Sequence, residues 1–200
     1  MSWTLETLLE HIKTQPVVVS DAEYLHPKLS ALVRPSPEDW KEVVQIGAVR
    51  YENGQVVAQK TWMVNPQIHG PSLSESEWTQ FETLTGLSRT AIEQGLPFHE
   101  AWQQFTQFVG NAPIVIMLGD KAVYEWNTSF WPQLEQRTAI TEDIQKLQWI
   151  ILKPLLPTHL QPLSSGELYA IVGVDEKDVG EGQTHNALFD ASSMALFLAK

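Results

Sequence analysis

Apolar residues recur along this chain with two periods. Leu5, Leu8, Leu9 and Ile12 fall at helical spacing, which predicts a short amphipathic helix over residues 3–14, ended by Pro16. Pro16 to Ser20 is a continuous apolar run, the mark of a buried central strand. Residues 24–39 carry Pro27, Pro35 and Pro37 and read as a loop. Val43 to Tyr51 and Gln55 to Val64 are β-like runs. Asn53-Gly54 lies between them, and both residues tolerate positive φ, so a hairpin is expected.

Helical spacing returns over Ser72 to Thr83 and Ser88 to Gln94, with Gly86 between them and Ser88 placed as an N-cap. The clearest amphipathic helix is Pro97 to Val109, with Phe98, Ala101, Trp102, Phe105, Phe108 and Val109 on one side. Pro113 to Leu118 reads as a second buried strand, Ala122 to Leu134 as a helix interrupted near Pro132, and Leu147 to Leu152 as a third strand of parallel type. Ser164 to Val172 reads as a helix, with Ser164 and Glu167 at capping-box spacing. Residues 175–184 read as an acidic loop and Asn186 to Lys200 as the final helix. The order α β β β α α α β α β α α sets a meander before β-α-β crossovers. It predicts an α/β fold with a mixed five-stranded sheet flanked by helices. No internal repeat or linker interrupts it, so residues 1–200 are expected to form one domain.

Composition narrows the classes. A hydrophobic fraction of 43% and a charged fraction of 18% are globular values. No apolar run approaches the ~20 residues of a membrane span. Met1 to Lys13 is acidic and amphipathic, unlike a signal peptide. The chain has no cysteine, so any metal must be held by oxygen or imidazole, and the cytosol is the expected compartment. The net charge of −11, with only 13 Lys plus Arg, argues against a grip on long duplexes, which needs a basic face. A short or frayed nucleic-acid end, or a protein partner that supplies the grip, fits that balance.

Four acids and one histidine carry the candidate chemistry. Asp21 and Glu23 follow three valines and alternate on extended chain, so both carboxylates face one side. A generic Asp-x-Glu is more often a solvated strand end; the apolar lead places this one at the end of a buried strand, where ligands of open α/β sheets collect. Asp120 stands just after another strand, where its ordinary role is to cap the next helix. Asp190 opens the last helix, where a carboxylate also complements the helix dipole. His185, one of 6 histidines, could be an ordinary loop residue. Brought together, these groups suit two divalent cations about 3.5–4 Å apart, clamping the attacking and leaving oxygens of a phosphoryl displacement. A neutral histidine beside them can take the proton of the attacking water.

The motifs resemble the DEDDh branch of the DnaQ-like 3'-5' exonucleases, on the ribonuclease H-like three-layer fold. Val18-Val19-Ser20-Asp21-Ala22-Glu23 is similar to the first motif, and Gln45-Ile46-Gly47-Ala48-Val49 to the strand after it. Leu84-Thr85-Gly86-Leu87-Ser88, Phe98-His99-Glu100-Ala101 and Phe105 are similar to the second region, and Gly119-Asp120 with Val123 and Asn127 to its acid. His185-Asn186-Ala187-Leu188-Phe189-Asp190-Ala191, preceded by Ser165-Gly166-Glu167-Leu168, is similar to the third motif and is the specific one. The likeness spans residues 16–199.

The resemblance implies hydrolysis at single-stranded DNA or RNA 3' ends with two Mg²⁺ or Mn²⁺ ions. Asp21, Glu23 and Asp190 would hold the first ion, Asp120 would reach the second through water, and His185 would be the general base. It also implies that Tyr24 and Leu87 lie against the terminal nucleotide, ahead of Trp126 and Trp131. The chain departs from the pattern in several places. Some relatives carry the third acid later, where Lys121 and Ala122 stand here, with Glu125 the next acid. The strand 149–152 has no acid, and Ser192 or Ser193 stands after Asp190 where relatives frequently show a basic residue. A binding module without activity and a phosphodiesterase of very short oligonucleotides are the alternatives.

Overall fold

The computed structural model describes residues 3–25, 42–67, 69–112, 114–119, 147–180 and 182–200. The expected helix 122–134, Asp120, Glu125, Trp126, Trp131 and the proline-rich part of the 24–39 loop lie outside the described residues.

Helix α1 (Leu5–Ile12) opens on a Thr4 cap whose side chain and that of Thr7 cap each other reciprocally. The sheet is built from β1 (Val17–Leu25), β2 (Glu42–Glu52), β3 (Gln55–Met63), β4 (Ile114–Met117) and β5 (Gln148–Ile151). Its order is β3-β2-β1-β4-β5. β1 runs antiparallel to β2 and parallel to β4, and β4 is parallel to β5. This is the mixed five-stranded sheet that the hydrophobic pattern predicts. The β2–β3 hairpin turns at Asn53 and Gly54, both at positive φ. The helices after the hairpin are α2 (Glu75–Thr85), α3 (Arg89–Glu93) and α4 (Phe98–Val109). Ser74 and Glu77 form a capping box on α2, and Ser88 caps α3.

Three elements differ from expectation. β1 continues through Leu25, so Asp21 and Glu23 lie within the strand; its pairing with β2 carries it past the polar residues that end the apolar run. The expected helix 164–172 is a 3-10 turn, Ser165–Glu167, followed by the short helix α5 (Leu168–Ile171), although the Ser164–Glu167 capping box forms as expected. The expected loop 175–184 contains one turn of helix, α6 (Glu176–Val179). The final helix is α7 (Ala187–Leu198).

Side chains alternate between the two faces of β1. Val18 and Ala22 join the core under α4, with Phe98, Trp102 and Phe105. Val17 and Val19 join the opposite core, under α1 and α7, with Leu8, Met194 and Leu198. A third cluster sets Leu25 and Val44 against Trp78, Phe81, Leu87 and Ile92 of the α2–α3 region. No helix among the described residues is long and apolar enough to cross a membrane.

Candidate metal centre

Asp21 and Glu23 continue the face of β1 that Val17 and Val19 begin, so they point towards α7. The parallel partner β4 pairs with β1 only along Val17–Val19. Both acids therefore stand beyond the carboxyl end of the parallel pairing, while β2 supports them from the other side.

The second half of the site comes from the start of α7. Asn186 caps the helix, its side-chain oxygen accepting from Leu188 N at 3.2 Å and Phe189 N at 3.4 Å. Ala187 N donates to Oε1 of the buried Gln45 at 2.7 Å. Gly47 faces the same helix start. A Cβ there would collide with the backbone of Ala187 and Leu188, so only glycine lets α7 lie this close to β2. His185 has φ 70°, a left-handed conformation that costs a non-glycine residue about 1 kcal/mol or more. Its own N–H hydrogen-bonds the Asp190 carboxylate.

Asp190 is 4% exposed. Burial pushes its carboxyl up to about 6, although hydrogen bonds from the Ser165 side chain and the His185 backbone act in the opposite direction. Its Oδ1 is buried without a hydrogen-bond partner. That oxygen lies beside Gly166, where a Cβ would come within 2.5 Å of it. Glu167 brings another acid to the neighbourhood. Its carboxylate accepts from Ser164 N at 2.8 Å and Ser164 Oγ at 2.6 Å, which holds its carboxyl below the usual range, with a smaller contribution from nearby His185.

These segments meet. One donor atom from each of Glu23, His185 and Asp190 lies within 4.8 Å of the other two, with Glu23 half-buried, His185 exposed and Asp190 buried. Asp21 is not one of the three, but stands two residues before Glu23 on the same strand face. The Glu23 and Asp190 carboxylates, with one buried oxygen unpartnered, fit a hard divalent cation, and the His185 imidazole stands beside them. Tyr24 is half-buried against the α4 core. Leu87 is 4% exposed within the third cluster, so little of its side chain is open to a ligand. Gln45, Ser165 and Gly166 were not singled out as site residues from the sequence; the one available signal was a glutamine interrupting the apolar run Val43 to Val49.

No family model matches this chain, and no curated protein does. Solved structures do match its fold. The nuclease domain of 3'hExo, a DEDDh family member bound to rAMP, superposes with TM-score 0.62 at 13% identity, over 93% of this chain and 90% of that one. Pop2p of S. pombe, in its Mg²⁺- and Mn²⁺-bound form, gives 0.59 at 15% identity, over 97% and 86%. Exonuclease X in complex with 5' overhanging duplex DNA gives 0.56 at 13%, over 92% and 89%. The chain thus has a ribonuclease H-like fold of the DEDDh exonuclease type. At these identities the likeness describes the fold, and what the site does is argued from its own residues.

Proposed function

We propose that this protein is a divalent-metal-dependent 3'-5' exonuclease that removes nucleotides from single-stranded ends. The observation that carries the reading is the convergence of Glu23, His185 and Asp190 from a strand and a helix more than 160 residues apart in sequence. A structural ion pair would need no third donor and would leave no buried oxygen unpartnered. The likeness in fold to 3'-exonucleases supports the same reading.

In this proposal Asp21, Glu23, Asp120 and Asp190 would be the carboxylates that hold two Mg²⁺ or Mn²⁺ ions. When bound, the ions supply electrostatic stabilisation to the attacking and leaving oxygens. The exposed His185 imidazole takes the proton of the attacking water through a ring nitrogen. Water oxygen bonds to phosphorus, the P–O3' bond breaks, and the terminal nucleotide departs with its phosphate. Tyr24, next to Glu23, is proposed to contact the terminal nucleotide, with Leu87 contributing through its small exposed margin. The net charge of −11 favours short or frayed single strands, or a protein partner that grips longer ones. The cytoplasm is the proposed compartment.

End-labelled DNA and RNA oligomers with Mg²⁺ or Mn²⁺ test this. The expected product is a ladder shortened one nucleotide at a time from the 3' end, abolished by EDTA. Activity restricted to dinucleotides would identify a phosphodiesterase of very short oligonucleotides. No hydrolysis of either polymer with either metal would contradict the exonuclease reading and favour a binding module.

A further inference from the structure

Strand β2 pairs with β1 along Asp21–Glu23 and also reaches the start of α7 through a polar side chain. Between Val43 and Val49 that side chain is Gln45, which is 1% exposed. Gln45 is the cross-strand partner of Glu23, and its Oε1 accepts from Ala187 N at 2.7 Å. Gly47, two residues on and on the same face, lets the α7 backbone rest against the strand. Further along that face, Tyr51 donates its hydroxyl to Ala195 O at 2.9 Å. Helix α7 is therefore hooked to β2 near both of its ends.

The first hook sits between the two functional residues. Ala187 follows His185 by two positions and precedes Asp190 by three. Each residue turns an α-helix by about 100°, so a slip of one residue at Ala187 would swing Asp190 away from Glu23. Asn186 already caps Leu188 N and Phe189 N, which leaves Ala187 N to Gln45. The left-handed backbone of His185 also persists only where its surroundings over-determine it.

We propose that Gln45 is a positioning residue: by accepting from Ala187 N it sets the register of α7 against β1 and so brings His185 and Asp190 to Glu23. The activity consequence rests on the exonuclease reading; the geometric consequence does not. Gln45→Met keeps the length of the side chain and removes the acceptor. Gln45→Glu keeps an acceptor oxygen whether or not it is charged. Ala187→Pro removes the donor at the first helical position, where proline is well tolerated, and Asn186 already has the extended backbone that proline requires before it (φ −116°, ψ 121°).

Two readouts are compared after far-UV circular dichroism has confirmed folding. Amide hydrogen exchange over residues 185–190 needs no substrate. Steady-state kinetics on an end-labelled oligonucleotide with Mn²⁺ separates kcat from KM. Gln45→Met should speed exchange at residues 187–190 by at least about tenfold and lower kcat roughly 10–100-fold, as loss of an outer-shell partner does. Its KM should stay within about twofold, and Gln45→Glu should restore most of kcat, since only the acceptor is missing. Ala187→Pro should match Gln45→Met in kcat, and serves in its place if that variant does not fold. A folded Gln45→Met with wild-type exchange and kcat would overturn the proposal. So would equal impairment of the Met and Glu variants, which would make Gln45 a matter of packing. If the wild type hydrolyses no oligonucleotide, the exonuclease reading fails, and the exchange data alone decide the role of Gln45.

Discussion

Helices α4 and α7 are both 12 residues long and lie on opposite faces of the same sheet, yet they are held in different ways. α4 buries one apolar stripe, Phe98, Ala101, Trp102, Phe105 and Val109, while Gln103 and Gln107 face out. Its attachments are aromatic in the core, where Trp62 meets Phe105 edge-on at 5.8 Å and Trp102 stacks on Trp149 at 6.4 Å, and polar nearer the surface, where Trp62 Nε1 donates to Gln104 Oε1 at 3.2 Å and Arg50 Nη1 donates to Phe108 O at 3.1 Å. α7 is buried nearly all round and carries Asp190, Ser192 and Ser193 into the interior. Polar hooks hold it, from Gln45 and Tyr51 on β2 and from Ser193 Oγ, which accepts from Tyr169 N at 3.1 Å. Apolar area is non-directional and tolerates small sliding, whereas hydrogen bonds fix register. Hydrogen bonds reach both helices, but those of α4 are only part-buried, whereas the hooks from Gln45 and Tyr51 to α7, the helix that carries the candidate Asp190, are buried.

Substitutions on the two helices should therefore separate stability from chemistry. The largest effect is expected at the start of α7. His185→Ala should lower kcat by 10²–10⁴-fold, the usual cost of losing a positioned general base, with thermal stability nearly unchanged, since alanine keeps a Cβ in the same left-handed backbone. On α4, Trp102→Ala should cost about 3–5 kcal/mol of stability by opening a cavity, seen in urea denaturation. At temperatures where that variant remains folded, its metal response should match the wild type. Equal loss of activity per unit of stability in both variants would erase the distinction between the helices.

A pH titration sharpens it. Burial holds the Asp190 carboxyl near 6 in the folded chain against 3.8 for the ordinary group. The folded state thus keeps its proton longer than the unfolded state. In the absence of metal, this group's contribution to stability falls as pH rises from about 4 through 6, by a few kcal/mol at most. Mn²⁺ should restore stability above pH 6, and that gain should fade as protonation competes below it. The melting temperature measured with and without Mn²⁺ at pH 5 and pH 8 checks both signs. A further effect is expected at Gly47→Ala, whose Cβ would collide with the α7 backbone. A cost of about 1–3 kcal/mol is expected, with a larger proportional loss of activity than any α4 variant of equal stability.

The same contrast explains what could be read in the sequence. α4 declared itself through apolar residues at helical spacing, and the hairpin through Asn53-Gly54, because those signals are local. Val17 to Val19 announced a buried strand, but its extension to Leu25 depends on pairing with β2, which a run of polar letters hides. The His185–Asp190 segment was visible as a motif. Its meeting with Glu23 depends on how closely α7 approaches β2, and that approach rests on Gly47 and Gln45, which look like an ordinary glycine and a stray glutamine in an apolar run. Ser165 and Gly166 were likewise hidden within a capping box, although they border the Asp190 carboxylate.

In the proposed reading α7 and β1 together build a cation site, and calorimetric titration with Mn²⁺ at pH 7.5 measures that site itself. The wild type should show saturable binding. Asp190→Asn should remove most of it while raising the melting temperature of the metal-free protein, because a buried charge has been neutralised. Trp102→Phe, on the opposite face, should leave binding intact. Wild-type protein that takes up no Mn²⁺ at millimolar concentration, or an Asp190→Asn variant that binds as well as the wild type, would contradict the account.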